Sequence, residues 1–134
     1  MACLIETGRT SAIRRPGFTL IELLVVLSII GTLLAIAVPR YFHALERSKE
    51  TVLRQDLSVM REAIDKYYGD VGHYPESLVA LVDSRYLRAI PIDPLAKTAD
   101  KWLLVSAEGD NVGVRDVHSG AEGAGMDGTP LGEW

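Results

Sequence analysis

The residues best placed to do chemistry in this chain are few, and they cluster near its beginning. Gly17 is a small residue that leaves an extended peptide bond accessible, Pro16 disfavours helix at Arg15, and an apolar run starts directly at Phe18. The bond between Gly17 and Phe18 therefore reads as a cleavage point, with the chain as a peptidase's substrate. Glu22 lies four residues further into the run, where an acidic side chain costs about 2.5–3.5 kcal/mol on membrane-insertion scales and is usually kept for a partner. Elsewhere the chemistry is sparse. His43, His73 and His118 fall on an expected helix, loop and strand, without H-E-x-x-H or paired-ligand spacing. No G-x-S-x-G, Walker loop or dinucleotide fingerprint occurs, and the sole cysteine, Cys3, precedes the apolar run. These absences argue against an enzyme.

The elements that hold these residues follow from the hydropathy pattern. The chain has 134 residues, room for one small domain plus its targeting apparatus. Residues 18–38 are almost wholly apolar, and a helix of that length covers roughly 30 Å, the thickness of a bilayer's hydrocarbon. Arg9, Arg14 and Arg15 against Glu6 give the first 17 residues a charge of +2; from the chain's −4, this leaves −6 for residues 18–134. The positive-inside rule then puts the N-terminus in the cytoplasm and the rest outside. An acidic mature chain is a poor partner for nucleic acid, whose phosphates need clustered Lys and Arg.

Two other export readings compete. Ala35, Ile36 and Ala37 form an A-x-A site that would release a soluble binding domain starting at Val38, and Arg14 with Arg15 is a twin-arginine pair, interrupted by Pro16 and Gly17. Neither explains Glu22.

Gly17-Phe18-Thr19-Leu20-Ile21-Glu22-Leu23-Leu24-Val25-Val26 closely resembles the prepilin signature of type IV pilins and type II secretion pseudopilins. The resemblance implies that an inner-membrane prepilin peptidase cuts between Gly17 and Phe18 and methylates the new amine of Phe18. It also implies that Glu22 is needed for assembly. A physical reason stands beside it: a carboxylate on one subunit would neutralise the cationic Phe18 amine of a neighbour inside an apolar fibre core. The plainer alternative is an acid that snorkels or stays protonated in lipid.

Beyond the membrane, Pro39 would remove a helical hydrogen bond and clash with the carbonyl of Ala35, so a kink or local melting is expected. Ser28, Gly31 and Ala35 are small enough for close helix contact. An amphipathic helix follows to about Tyr68, with Phe42, Leu45, Leu53, Leu57, Met60, Ile64 and Tyr67 on its apolar stripe. Arg47, Lys49, Arg54, Arg61 and Asp65 mark its solvated positions. Gly69, Gly72 and Pro75 break it, residues 77–82 form a short helix, and Pro91 and Pro94 bracket a rigid turn. Residues 102–106 and 112–117 favour strand around a turn at 108–111. With one further strand or extended edge expected, the fold is α+β: a long N-terminal helix, half transmembrane and half amphipathic, packed on a small antiparallel sheet.

This layout resembles the major pseudopilin of type II secretion over nearly all the mature chain, which implies a pilin-like fold. It departs at Leu95-Ala96-Lys97, where the family has an aromatic residue and a glycine-asparagine turn. In the family a loop comparable to the glycine-rich tail, residues 119–134, binds calcium, which makes Glu122 and Asp127 the candidate ligands. The divisions implied are 1–17 as a leader, 18–38 as the transmembrane and assembly helix, and 39–134 as amphipathic helix and periplasmic head. The implied role is as one of many copies in a helical fibre, anchored first in the inner membrane, that drives protein export through the outer membrane. Its partners would be the peptidase, minor pseudopilins and an inner-membrane assembly platform. A type IV pilin for adhesion or motility is the alternative, although many of those carry a C-terminal disulfide that a chain with only Cys3 cannot form.

Overall fold

A computed structural model describes residues 17–109 and 112–134; the leader's arginines, Cys3 and half of the expected 108–111 turn lie outside the described residues. The elements are α1 (Leu20–Val71), α2 (Leu78–Asp83), β1 (Leu103–Ser106), β2 (Val114–His118) and a closing 3-10 turn (Leu131–Glu133). Two compact units divide between Pro39 and Arg40.

From Leu20 on, the described residues of the first unit are helix, and none of them is buried in a core. Its apolar side chains are exposed, from Leu20 at 82% to Val38 at 46%, and the segment is long and apolar enough to cross a membrane. Ser28 and Thr32 donate their hydroxyls to the carbonyls of Leu24 and Ser28, both at 2.8 Å. This is how a hydroxyl is satisfied on a helix surrounded by apolar groups. The assignment stays helical through Pro39, so the expected local melting is not seen. A proline forfeits one backbone bond, and the flanking turns on either side carry the helix past that loss.

The second unit has a core, and it begins later than the stripe suggests. Leu53, Leu57, Met60, Ala63 and Ile64 are buried on one face of α1 against Leu78, Leu81, Leu87, Trp102, Val114, Val117 and Leu131. Each fully buried Leu, Ile or Met contributes about 1.5–3 kcal/mol. Phe42 and Leu45, placed on the core stripe by periodicity, are 59% and 37% exposed instead, and Tyr67 is only partly buried. Periodicity finds a helical face but not where the covering domain starts along it. The helix also runs three residues past Tyr68, ending where Gly72 takes φ +83°.

The sheet is a single antiparallel pair, pairing Leu103 with His118 and Leu104 with Val117, with an irregularity between Val105 and Ser106. No third strand forms among the described residues; the extra edge is reduced to isolated bridges, Asp93 with Thr98 and Ala124 with Pro130. β2 starts beside the loop after α1: Val114 N–H donates to the Pro75 carbonyl at 2.8 Å. Gly113 is required there, since at φ +146° any Cβ would lie 2.7 Å from that of Tyr74.

The departure at 95–97 is resolved by Asp93. Its side chain is fully buried: Oδ1 accepts from the backbone N–H groups of Leu95 and Ala96 at 2.8 and 2.9 Å, and Oδ2 accepts from the Ser119 hydroxyl at 2.6 Å. Lys97 closes the turn with φ 57°, its N–H donating to the Asp93 carbonyl at 2.7 Å. One carboxylate thus joins the proline-bracketed turn to the start of the tail.

Two stability changes of opposite sign follow. Asp93→Ala leaves buried donors unpaired at about 1–3 kcal/mol each, so detergent-solubilised protein should lose roughly 3 kcal/mol in denaturant unfolding. Lys97→Gly relieves a left-handed residue and should raise stability by about 0.5–1 kcal/mol in the same assay. A loss at Lys97 would mean its side chain holds the turn in some further way.

Candidate functional site

At the N-terminal end of the described residues, residues 17–19 precede the helix, a Cβ at Gly17 would meet nothing within 4 Å, and Phe18 is 88% exposed. The peptide bond between them is open to an incoming enzyme. Thr19 starts the helix: its Oγ1 accepts from the Glu22 backbone N–H at 3.2 Å, and its carbonyl accepts from Leu23 N–H at 3.2 Å. The order Thr-x-x-Glu is that of a capping box, a signal that the sequence carried and that the signature match obscured. Glu22 therefore stands in the first helical turn, where the partial positive charge of the helix N-terminus favours a carboxylate.

That field is only part of what an acid needs in lipid. The Glu22 side chain has no hydrogen-bond or ion-pair partner among the described residues. Gly17, Phe18 and Glu22 thus lie within five residues of one another at one helix end, while Pro39 lies far along the chain.

At the other end, the tail is strapped to α1 by side chains expected to be solvated. Arg61 donates from Nε to Asp116 Oδ1 at 2.7 Å and from Nη2 to the carbonyl oxygens of Val117 and Trp134, both at 2.9 Å. His118 Nδ1 lies 2.6 Å from that same Trp134 oxygen. About two turns earlier, Arg54 Nη2 donates to Asp127 Oδ2 at 2.7 Å while its guanidinium sits 4.1 Å from the centre of the Trp134 ring. Glu50 Oε1 accepts from Met126 N–H at 2.7 Å. Sequence periodicity could not find these pairs, because it marks Arg54 and Arg61 only as lying off the apolar stripe.

Asp127 accepts a second bond at Oδ1 from Thr129 N–H at 3.0 Å. That N–H first, and then Arg54, holds its carboxyl below the usual carboxylate range. Calcium takes about 6–8 oxygen ligands. Here Glu122 is exposed, both Asp127 oxygens are engaged, and no group of three His, Cys, Asp or Glu that could hold a metal ion occurs among the described residues. As arranged, Glu122 and Asp127 do not fit the ion.

Residues 14–38 match the prokaryotic N-terminal methylation motif. The chain is 30% identical to the type II secretion system core protein G of Pseudomonas aeruginosa, over 90% of this chain and 96% of that one. It is 28% identical to the core protein G of Klebsiella pneumoniae, over 90% and 95%, and 29% identical to the fimbrial protein EcpC of Eikenella corrodens, over 86% and 78%. No solved structure matches it. A prepilin-type start, a helix that leaves the first unit bare and a small α+β head all agree with the near end-to-end likeness, and the chain belongs to the family of type II secretion system core protein G, the major pseudopilins.

Proposed function

We propose that this chain is a structural subunit, not an enzyme, made as a precursor and cut between Gly17 and Phe18 by a prepilin peptidase that also methylates the Phe18 amine. Residues 18–38 then hold it in the inner membrane with the head in the periplasm. Copies leave the bilayer to form a helical pseudopilus, with minor pseudopilins and an inner-membrane assembly platform, and the fibre drives proteins across the outer membrane. The observation that carries this reading is Glu22, a lone acid with no side-chain partner among the described residues in an otherwise bare apolar helix. A neighbour's Phe18 amine supplies the missing cation. A type IV pilus is the second reading, favoured by the fimbrial relative, whose length is covered less completely than that of core protein G.

Mass measurement of the protein isolated from membranes should give a chain starting at an N-methylated Phe18; a chain starting at Val38 would mean a secreted soluble domain. Glu22→Ala should abolish fibres seen by electron microscopy while leaving the subunit in the membrane. Polymerisation at the parent's level would remove the electrostatic account.

The tail's closure is proposed to rest on Arg54, Asp127 and Trp134 rather than on calcium. The melting midpoint should then be unchanged on adding a chelator, and Arg54→Ala should lower it by about 2–6 °C. A folded-state pKa held low stabilises above the unfolded value and loses that contribution as pH falls through the folded one. Acid should therefore loosen the tail only below about pH 4, the ordinary carboxylate value. A marked fall in midpoint on chelation would restore the ion.

A further inference from the structure

Immediately after the apolar run, Arg40, His43 and Arg47 fall on one side of α1 and line a groove of about 500 Å³ with Ala44, Ser48 and Thr51. No acid lines this groove, and none of the three basic side chains has an ion-pair partner among the described residues. The nearby carboxylates are engaged elsewhere: Glu46 with Lys49 at 2.9 Å and Glu50 with the Met126 N–H. Arg47 also borders the cleft that holds Glu50 and Asp127, but Asp127 is taken by Arg54. Beside the cations stand Tyr41 and Phe42, 65% and 59% exposed and edge-to-face at 5.9 Å between ring centres. They cover no part of the core.

We propose that residues 40–47 form a collar that binds the phosphate of anionic phospholipid headgroups on the outward leaflet while the subunit is held in the membrane. The inference rests on the membrane reading above. Two residues of chain reach at most about 7 Å, so Arg40 lies within that distance of Val38 whatever the geometry at Pro39. The headgroup region is about 5–7 Å deep on each side of the hydrocarbon. Arg40 is placed inside it, and His43 and Arg47, about one and two helical turns further on along the same side, follow it, Arg47 with a long side chain that can reach back. Exposed aromatic residues at the same level are what a membrane interface favours, and a protein core would have buried them. Phosphate is the matching anion for a guanidinium pair without carboxylates of its own. Each basic group near an anionic surface is worth about a fivefold gain in partitioning.

The test is to reconstitute the full chain in vesicles of equal phosphatidylglycerol and phosphatidylcholine, float them on a gradient, extract gently and count retained lipid by native mass spectrometry. The expected result is retention of phosphatidylglycerol over phosphatidylcholine on the order of tenfold, lost in high salt. Arg40→Gln with Arg47→Gln should bring the ratio near one, and Arg40→Lys with Arg47→Lys should keep most of it. All four are exposed-site changes, so folding is retained and circular dichroism checks it. A protein that floats but does not select, or a glutamine variant that selects as well as the parent, overturns the proposal alone. So does a glutamine variant that keeps its lipid but loses chain-to-chain crosslinks, which would assign the stripe to a neighbouring subunit's acids. A chain that never floats overturns the membrane reading, and this inference with it.

Discussion

Everything in this molecule depends on one helix whose backbone needs nothing from its surroundings. An α-helix closes its own N–H and C=O groups, so the same backbone is as stable in hydrocarbon as beneath a protein core. Only its side chains must change with the medium. In α1 they do: from Leu20 to Val38 the apolar side chains are bare, and from Leu53 to Ile64 they are buried under the head. Even the hydroxyls of the apolar part turn back on carbonyls of the preceding turn. What is left over is Thr19 and Glu22 at the open end, where the first N–H groups have no helical partner and the cap supplies one.

The head is small and, with Cys3 ahead of the apolar run, has no disulfide to hold it. Polar clamps at chain crossings take that place. Asp93 closes its own turn and reaches Ser119; Arg61 gathers the end of β2 and the oxygen of Trp134; Arg54 joins Asp127 and the Trp134 ring. Trp102 adds a further link, its ring N–H donating to the Pro91 carbonyl at 3.0 Å. Singly, exposed ion pairs such as Arg54 with Asp127 add little to stability, because water screens them. Their effect comes from sharing: each arginine bonds more than one segment, so the segments are fixed against α1 together. The crowding of Gly125 under Trp134, where a Cβ would come within 2.3 Å of the ring, shows how closely the tail is drawn in.

What the sequence disclosed sorts by the range of the interaction. Local signals were legible: the apolar run, the break at Gly72, the short helix that Ser77 caps, and two strands within two residues of their ends. Pro39 was legible as a residue but not in its effect, since whether a helix survives one lost bond depends on the turns around it. Long-range facts were hidden. Arg54 and Arg61 have the periodicity of solvated side chains, and only the folded tail, more than fifty residues on, gives them partners. The Asp93 turn was seen as rigid because of its prolines, whereas the buried carboxylate that organises it needed the Ser119 hydroxyl to be in view.

The exposed stretch between the two buried regimes is where periodicity misled most, and the error has a physical content. Phe42 and Leu45 continue the apolar spacing of Leu53 and Leu57, yet nothing of the head reaches them. A sequence for a purely soluble helix would gain by replacing them with polar residues, because bare aromatic surface in water is unfavourable. Their presence beside arginines that have no ion-pair partner among the described residues fits a segment proposed to meet water, headgroups and neighbouring copies in turn. Such a segment cannot be optimised for one medium. Its aromatic surface stays exposed, and its cations have no ion-pair partner among the described residues.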